Sequence, residues 1–154
     1  MTLRLEDKQE IVAAVNQAAS GAFSAVVADY RGLTVEQMTK LRVSARQNGV
    51  YLRVVRNTLA RRAFVGTPFE ILHDTLVGPT VIGLSLSESD MGAAARLFKD
   101  FAKDHKKLEI KSAAFDGKLY GADEIDVLAN LPTRDTALTM LASVLQAPIS
   151  KFAR

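Results

Sequence analysis

Short runs of β-branched and small residues alternate with stretches of helical periodicity along most of the chain, and this alternation limits the fold more than any other feature. Residues 22–30 hold Ala25, Val26, Val27 and Ala28 in succession, the pattern of a strand buried on both faces. Before it, Ile11, Val12, Val15, Ala18 and Ala19 recur at helical spacing over residues 4–19, with Gly21 placed to close the helix. After it, Arg31 and Gly32 turn the chain. Thr34 and Gln37 have capping-box spacing, and Val35, Met38, Leu41 and Ala45 supply the inner face of a second helix reaching Gly49.

The pattern then repeats. Val50, Leu52 and Val54 alternate with Tyr51, Arg53 and Val55 as a strand, and Asn57 or Thr58 caps a short helix through Phe64. Thr67, Pro68 and Glu70 mark another helix start. Residues 81–86 read as a strand, 93–103 as a helix with Leu97, Phe98 and Phe101 inward, and 108–115 as a strand ending at an Asp116-Gly117 hairpin turn. Strands and helices in alternation predict an α/β domain: a mixed sheet with helices on both faces. The domain ends near Leu131, giving one unit over 1–131. Pro132 breaks the chain, Thr133 can cap, and 132–154 form a C-terminal helical arm. Leu138, Met140, Leu141, Val144 and Leu145 stripe that arm until Pro148, which is expected to break or kink it. Such a stripe either folds back on the domain or offers a groove to partner helices.

Catalysis lacks its usual groups. With no cysteine the chain has no thiol nucleophile, disulfide or thiolate metal site, which fits a reducing cytosol. His73 and His105 stand in no metal-ligand spacing, and the glycines form no nucleotide-binding loop. Neither metal nor cofactor is expected. Glu6, Asp7, Lys8 and Glu10 interrupt any secretory core near the start, and no apolar run approaches the roughly 20 residues that span a bilayer. The remaining enzymatic alternative is a small α/β enzyme whose arginines hold a phosphorylated metabolite.

Charge distribution points elsewhere. Between Arg31 and Arg62 eight basic residues face one acid, Glu36, and seven of the eight are arginine. Guanidinium forks bind phosphate oxygens bidentately and stack on bases, so the segment favours nucleic acid. Lys40, Arg42 and Arg46 suit the solvated face of a helix, whereas Arg53, Arg56, Arg61 and Arg62 are the stronger RNA candidates. Tyr51 shares a strand face with Arg53. At the strand end, Arg56, Asn57 and Thr58 can converge side-chain and backbone donors on one phosphate.

The segments VVADYRGLTVEQMTKLR, VYLRVVRNTLARRA, GTPFEILHDTLVGPT, GAAARLFKDFAK and LANLPTRDTAL resemble the bacterial large-subunit ribosomal protein ten family, the stalk-base proteins, over almost the whole chain. The resemblance implies a cytoplasmic structural protein of the large ribosomal subunit and no enzyme. Its N-terminal domain would bind the GTPase-associated region of the large-subunit rRNA beside ribosomal protein eleven. Its terminal helix would carry dimers of the acidic stalk protein seven/twelve, which recruit translational GTPases. Family members also repress their own message by binding its leader, implying the same for this basic surface. By position, the RNA-facing residues are Lys8, Arg31, Gly32, Arg53, Arg56, Asn57, Thr58, Arg61 and Arg62, with Gly78 and Pro79. The partner-binding residues are Ala137, Leu138, Met140, Leu141, Val144, Leu145, Ile149 and Phe152. Against the family's pattern the arm is expected to be incomplete at its end.

Overall fold

The computed structural model describes residues 4–152, with side-chain detail for 4–146. In chain order the elements are α1 (Leu5–Ser20), β1 (Ser24–Asp29), α2 (Val35–Gln47), β2 (Val50–Val54) and α3 (Asn57–Phe64). A 3-10 segment (Glu70–Thr75) leads to β3 (Thr80–Ser85), α4 (Ala93–Asp104), β4 (Glu109–Phe115), β5 (Lys118–Gly121), α5 (Ile125–Ala129) and α6 (Arg134–Phe152). Thr34 and Gln37 form the expected capping box: the Thr34 hydroxyl accepts from the Gln37 N–H at 3.3 Å, and the Gln37 side chain accepts from the Thr34 N–H at 2.9 Å.

The α/β class and the helices on both faces are as expected, but the strand directions differ from a mixed sheet. The order is β2-β3-β1-β4-β5, and all four pairings are antiparallel. The cause lies in interleaving. β1 and β2 run in the same direction with α2 between them, yet β3 is inserted as their common neighbour. β3 and β4, joined through α4, likewise flank β1. Two split βαβ units thus interlock, and each crossover skips one strand.

Period-two alternation sends the strand side chains into two cores. Ala25, Val27, Ile82 and Leu84 face a layer of α1, α3 and the 3-10 segment, where Phe64, Phe69 and Leu72 are buried. Val26, Ala28 and Val81 face α2, α4 and α5, around Leu41, Phe98 and Leu128. The Phe98 ring lies directly against Gly83 of β3, where any Cβ would overlap it. Burying such a ring is worth about 1.5–3 kcal/mol. Asp116 and Gly117 both have positive φ (51° and 71°), the backbone of the two-residue hairpin turn that their sequence suggests.

Three local expectations are corrected. Arg56 occupies the N-cap of α3 with no side-chain cap, so neither Asn57 nor Thr58 serves there. The Thr67-Pro68-Glu70 start yields a 3-10 segment, because the Thr67 hydroxyl donates back to the Phe64 carbonyl at 2.7 Å and is spent on the preceding helix. And α6 continues through Pro148 to Phe152 without a break. Proline removes one backbone donor, which need not end a helix.

Candidate nucleic-acid interface

One end of the sheet gathers four chain segments that are far apart in sequence. Because β1 runs antiparallel to both β3 and β4, its C-terminal residue Asp29 lies opposite Thr80 and Glu109. Val54 at the end of β2 lies opposite Val81. The turn Arg31-Gly32, the strand exit Arg56-Asn57-Thr58 and the loop Gly78-Pro79 therefore open at the same end. Arg56 through Thr58, Gly78, Pro79 and Thr80 line one shallow cleft of about 450 Å³ with Tyr30. Arg56 and Thr58 are exposed there. No side chain caps α3; the Leu59 and Ala60 N–H groups donate to the Arg56 carbonyl at 2.9 and 3.0 Å, which leaves those of Asn57 and Thr58, both residues of the cleft lining, as the first-turn donors that no side chain caps.

Asn57 builds the cleft. Its Nδ2 donates to the Gly78 carbonyl at 2.8 Å, and its Oδ1 accepts from the Thr80 hydroxyl at 2.6 Å. The side chain thus fastens the start of α3 to the loop before β3, and what it leaves for a ligand is the backbone. Lys111 secures the other side: its Nζ donates to the Val77 carbonyl and lies 3.6 Å from Asp29. Gly78 sits beneath that ammonium with φ +78°, a conformation L side chains rarely adopt. Asp29 also accepts from the Arg31 N–H at 2.8 Å, setting the turn that exposes Arg31 and Gly32.

Two further groups flank the cleft. Lys8 of α1 and Arg62 of α3 line a second depression of about 370 Å³ with Gln9 and Asn16, a meeting set by the packing of α1 on α3. Asn16 donates to the Ala63 carbonyl at 2.7 Å and holds that packing in place. On the edge strand β2, Arg53 Nη1 donates to the Tyr51 hydroxyl at 3.1 Å, so the expected sharing of a face is realised as a direct bond.

Arg61 is placed differently from its neighbours. It is half-buried, its Nη2 donates to the Leu76 carbonyl at 3.0 Å, and it closes the end of the 3-10 segment. Residues the basic run did not suggest also join the site: Tyr30 in the cleft and Lys111 beneath it. Strand pairing alone brings them there. Arg42 and Arg46 are exposed, as expected of a solvated helix face, and line a cleft with Arg53.

The arm presents a different surface. Thr133 caps α6 by accepting from the Thr136 N–H at 3.4 Å, and the Arg134 N–H donates to the Ser89 carbonyl at 3.0 Å. Beyond that attachment Leu138, Met140, Leu141, Val144 and Leu145 are 57–68% exposed, and Ala137 is exposed with them. Of the two possibilities for the stripe, folding back on the domain is thereby removed. The side chains of Ile149 and Phe152 lie outside the described residues.

Among the described residues no group of histidine, cysteine or carboxylate side chains could hold a metal, and no helix is long and apolar enough to cross a membrane. His105 lies 3.2 Å from Gln37 and packs on Phe101, and His73 is exposed.

Comparison with known proteins gives these surfaces a context. The family model described as ribosomal protein L10 matches residues 4–103, and that of the ribosomal protein uL10 C-terminal region matches 131–154. The large ribosomal subunit protein uL10 of Acinetobacter baumannii is 65% identical over 154 residues, covering the whole chain and 92% of the relative. That of Acinetobacter baylyi is 64% identical with the same coverage, and that of Alcanivorax borkumensis is 64% identical over 86% of its length. These matches carry the expectation of a cytoplasmic large-subunit protein and displace the small-enzyme alternative. The chain belongs to the ribosomal protein L10 family, and its role is structural, within the ribosome, with no catalytic activity.

Proposed function

We propose that the sheet end bounded by Arg31, Arg56 and Gly78 is where this chain binds large-subunit rRNA, in the GTPase-associated region beside ribosomal protein eleven. The observation that carries this reading is the convergence of Arg56, the uncapped start of α3 and the Gly78-Pro79 loop on one cleft held rigid by Asn57. Guanidinium groups and backbone N–H donors together recognise phosphate, and neither needs a particular base. Arg53 with Tyr51 on one flank, and Lys8 with Arg62 on the other, extend the same surface. Arg61 supports it through Leu76. Binding of the leader of its own message uses the same phosphate-directed groups.

The division of labour follows the chain: residues 1–131 attach to RNA, and 132–154 carry dimers of the acidic stalk protein seven/twelve on the exposed stripe of α6. Changing Arg53 and Arg56 together to Glu is expected to abolish binding to the rRNA fragment while the complex with the acidic protein persists. Unchanged affinity, or binding indifferent to salt, would refute the RNA assignment.

A further inference from the structure

Three arginines from two elements surround the open edge of β2. Arg42 and Arg46 of α2 line one cleft of about 470 Å³ with Arg53, over a floor that includes Ala45, Val50 and Leu52. Arg42 and Arg46 are exposed and Arg53 is half-buried. Among the described residues no carboxylate lies within ion-pairing distance of any of the three, and no acidic side chain lines the cleft.

Local structure accounts for only part of this arrangement. Arg46 is in the last turn of α2, where a cation suits the negative end of the helix dipole. Arg53 guards an edge strand against pairing with another chain. Arg42 has neither reason. It stands one turn before Arg46, so the two like charges repel across about 6 Å of helix rise. Three cations held together without acids are a surface that an anion completes.

We infer that the RNA-binding surface continues from the sheet end along the β2 edge onto α2, with Arg42 and Arg46 contacting the phosphate backbone. Resting on the proposed RNA role, the inference adds two residues that lie outside the strand-end cluster. Arginine rather than lysine at all three positions fits phosphate, which guanidinium binds through two parallel hydrogen bonds. Continuity with Arg56, three residues beyond Arg53 and just past the end of that strand, favours RNA over an acidic protein segment.

The test uses the full chain and an rRNA fragment of the GTPase-associated region, with affinity measured across salt concentrations. Replacing both residues (R42Q/R46Q) should reduce the slope of log affinity against log salt by about 1.4–1.8, and R42Q alone by about half of that. The unfolding midpoint should not fall, since both side chains are exposed. An unchanged slope for R42Q/R46Q, beside loss of binding in R53E/R56E, would overturn the inference and leave the RNA role standing. If R53E/R56E also binds normally, the RNA role itself is refuted. Unchanged RNA binding together with lost affinity for polyglutamate would reassign the cleft to an acidic protein and equally overturn the inference.

Discussion

Leu41, Leu72 and Leu84 in the α/β body have no exposed surface, whereas Leu138, Leu141 and Leu145 on α6 keep 57%, 58% and 67% of theirs. The residue type is the same and the surroundings are opposite. In the body, these three side chains lie in the cores between the sheet and the elements packed on it, so folding alone completes their environment. On the arm only one helix is present, and its apolar stripe remains in water until something else covers it. What this chain offers partners therefore differs by region: charge and backbone donors on the body, and unburied hydrocarbon on the arm. Soluble proteins seldom leave a contiguous apolar stripe exposed unless it is used.

Removing residues 132–154 would break the comparison most severely. Binding to the acidic stalk protein should be lost altogether, with rRNA affinity unaltered and the unfolding midpoint of the body shifted by less than about 2 °C. Titration of the truncated chain with each partner, followed by thermal unfolding, checks all three. A fall of many degrees would mean that the arm supports the body after all.

Single substitutions sharpen the same contrast. Phe98→Ala removes a fully buried ring packed on Gly83 and should cost about 3–5 kcal/mol of stability in denaturant unfolding. Leu141→Ala deletes a side chain that is 58% exposed and should cost about 0.5 kcal/mol or less. In partner binding the order reverses: Leu141→Ala should weaken the stalk complex by roughly tenfold or more, and Phe98→Ala should leave it alone while the body stays folded. Equal stability losses for the two would refute the idea that the stripe is unburied.

How far this contrast could be read from sequence depends on the range of the interactions. Local chemistry was legible: the Thr34–Gln37 capping box, the Asp116-Gly117 turn and the strand over Val50–Val54 each rest on neighbours a few residues apart. Strand direction was not, since inserting β3 between β1 and β2 joins residues 51–61 apart in one pairing and 27–35 apart in the other, and leaves no mark on either run. For the candidate site, arginine content located the region, but the two bonds of Asn57 to Gly78 and Thr80 are long-range and convert an expected ligand into a clamp. Lys111 was missed for the same reason.

Asn57 provides a test of intermediate size. Substitution by alanine leaves the Gly78 carbonyl and Thr80 hydroxyl without their partner, at a cost of about 1–3 kcal/mol. Because the side chain shapes the cleft without filling it, rRNA affinity should fall as the Gly78-Pro79 loop loosens, while the salt slope stays constant. A reduced slope would instead make Asn57 part of the phosphate contact.

A small, local effect is expected at the junction. Thr133 accepts from the Thr136 N–H at a long 3.4 Å, and its carbonyl accepts from the Ala137 N–H at 2.8 Å. Next to it the Arg134 N–H reaches the Ser89 carbonyl at 3.0 Å, and its guanidinium lies 3.4 Å from Glu88. Thr133→Ala removes only the hydroxyl cap and should destabilise the first turn of α6 by about 0.5–1 kcal/mol. If body and arm are independent, hydrogen exchange quickens at residues 134–137 and nowhere in the sheet, and the body's unfolding midpoint does not move. Faster exchange spreading into β3 would show that Ser89 and Glu88 transmit the loss, because they lie four and three residues past that strand and are the arm's anchors. The cap then would couple RNA attachment to partner attachment.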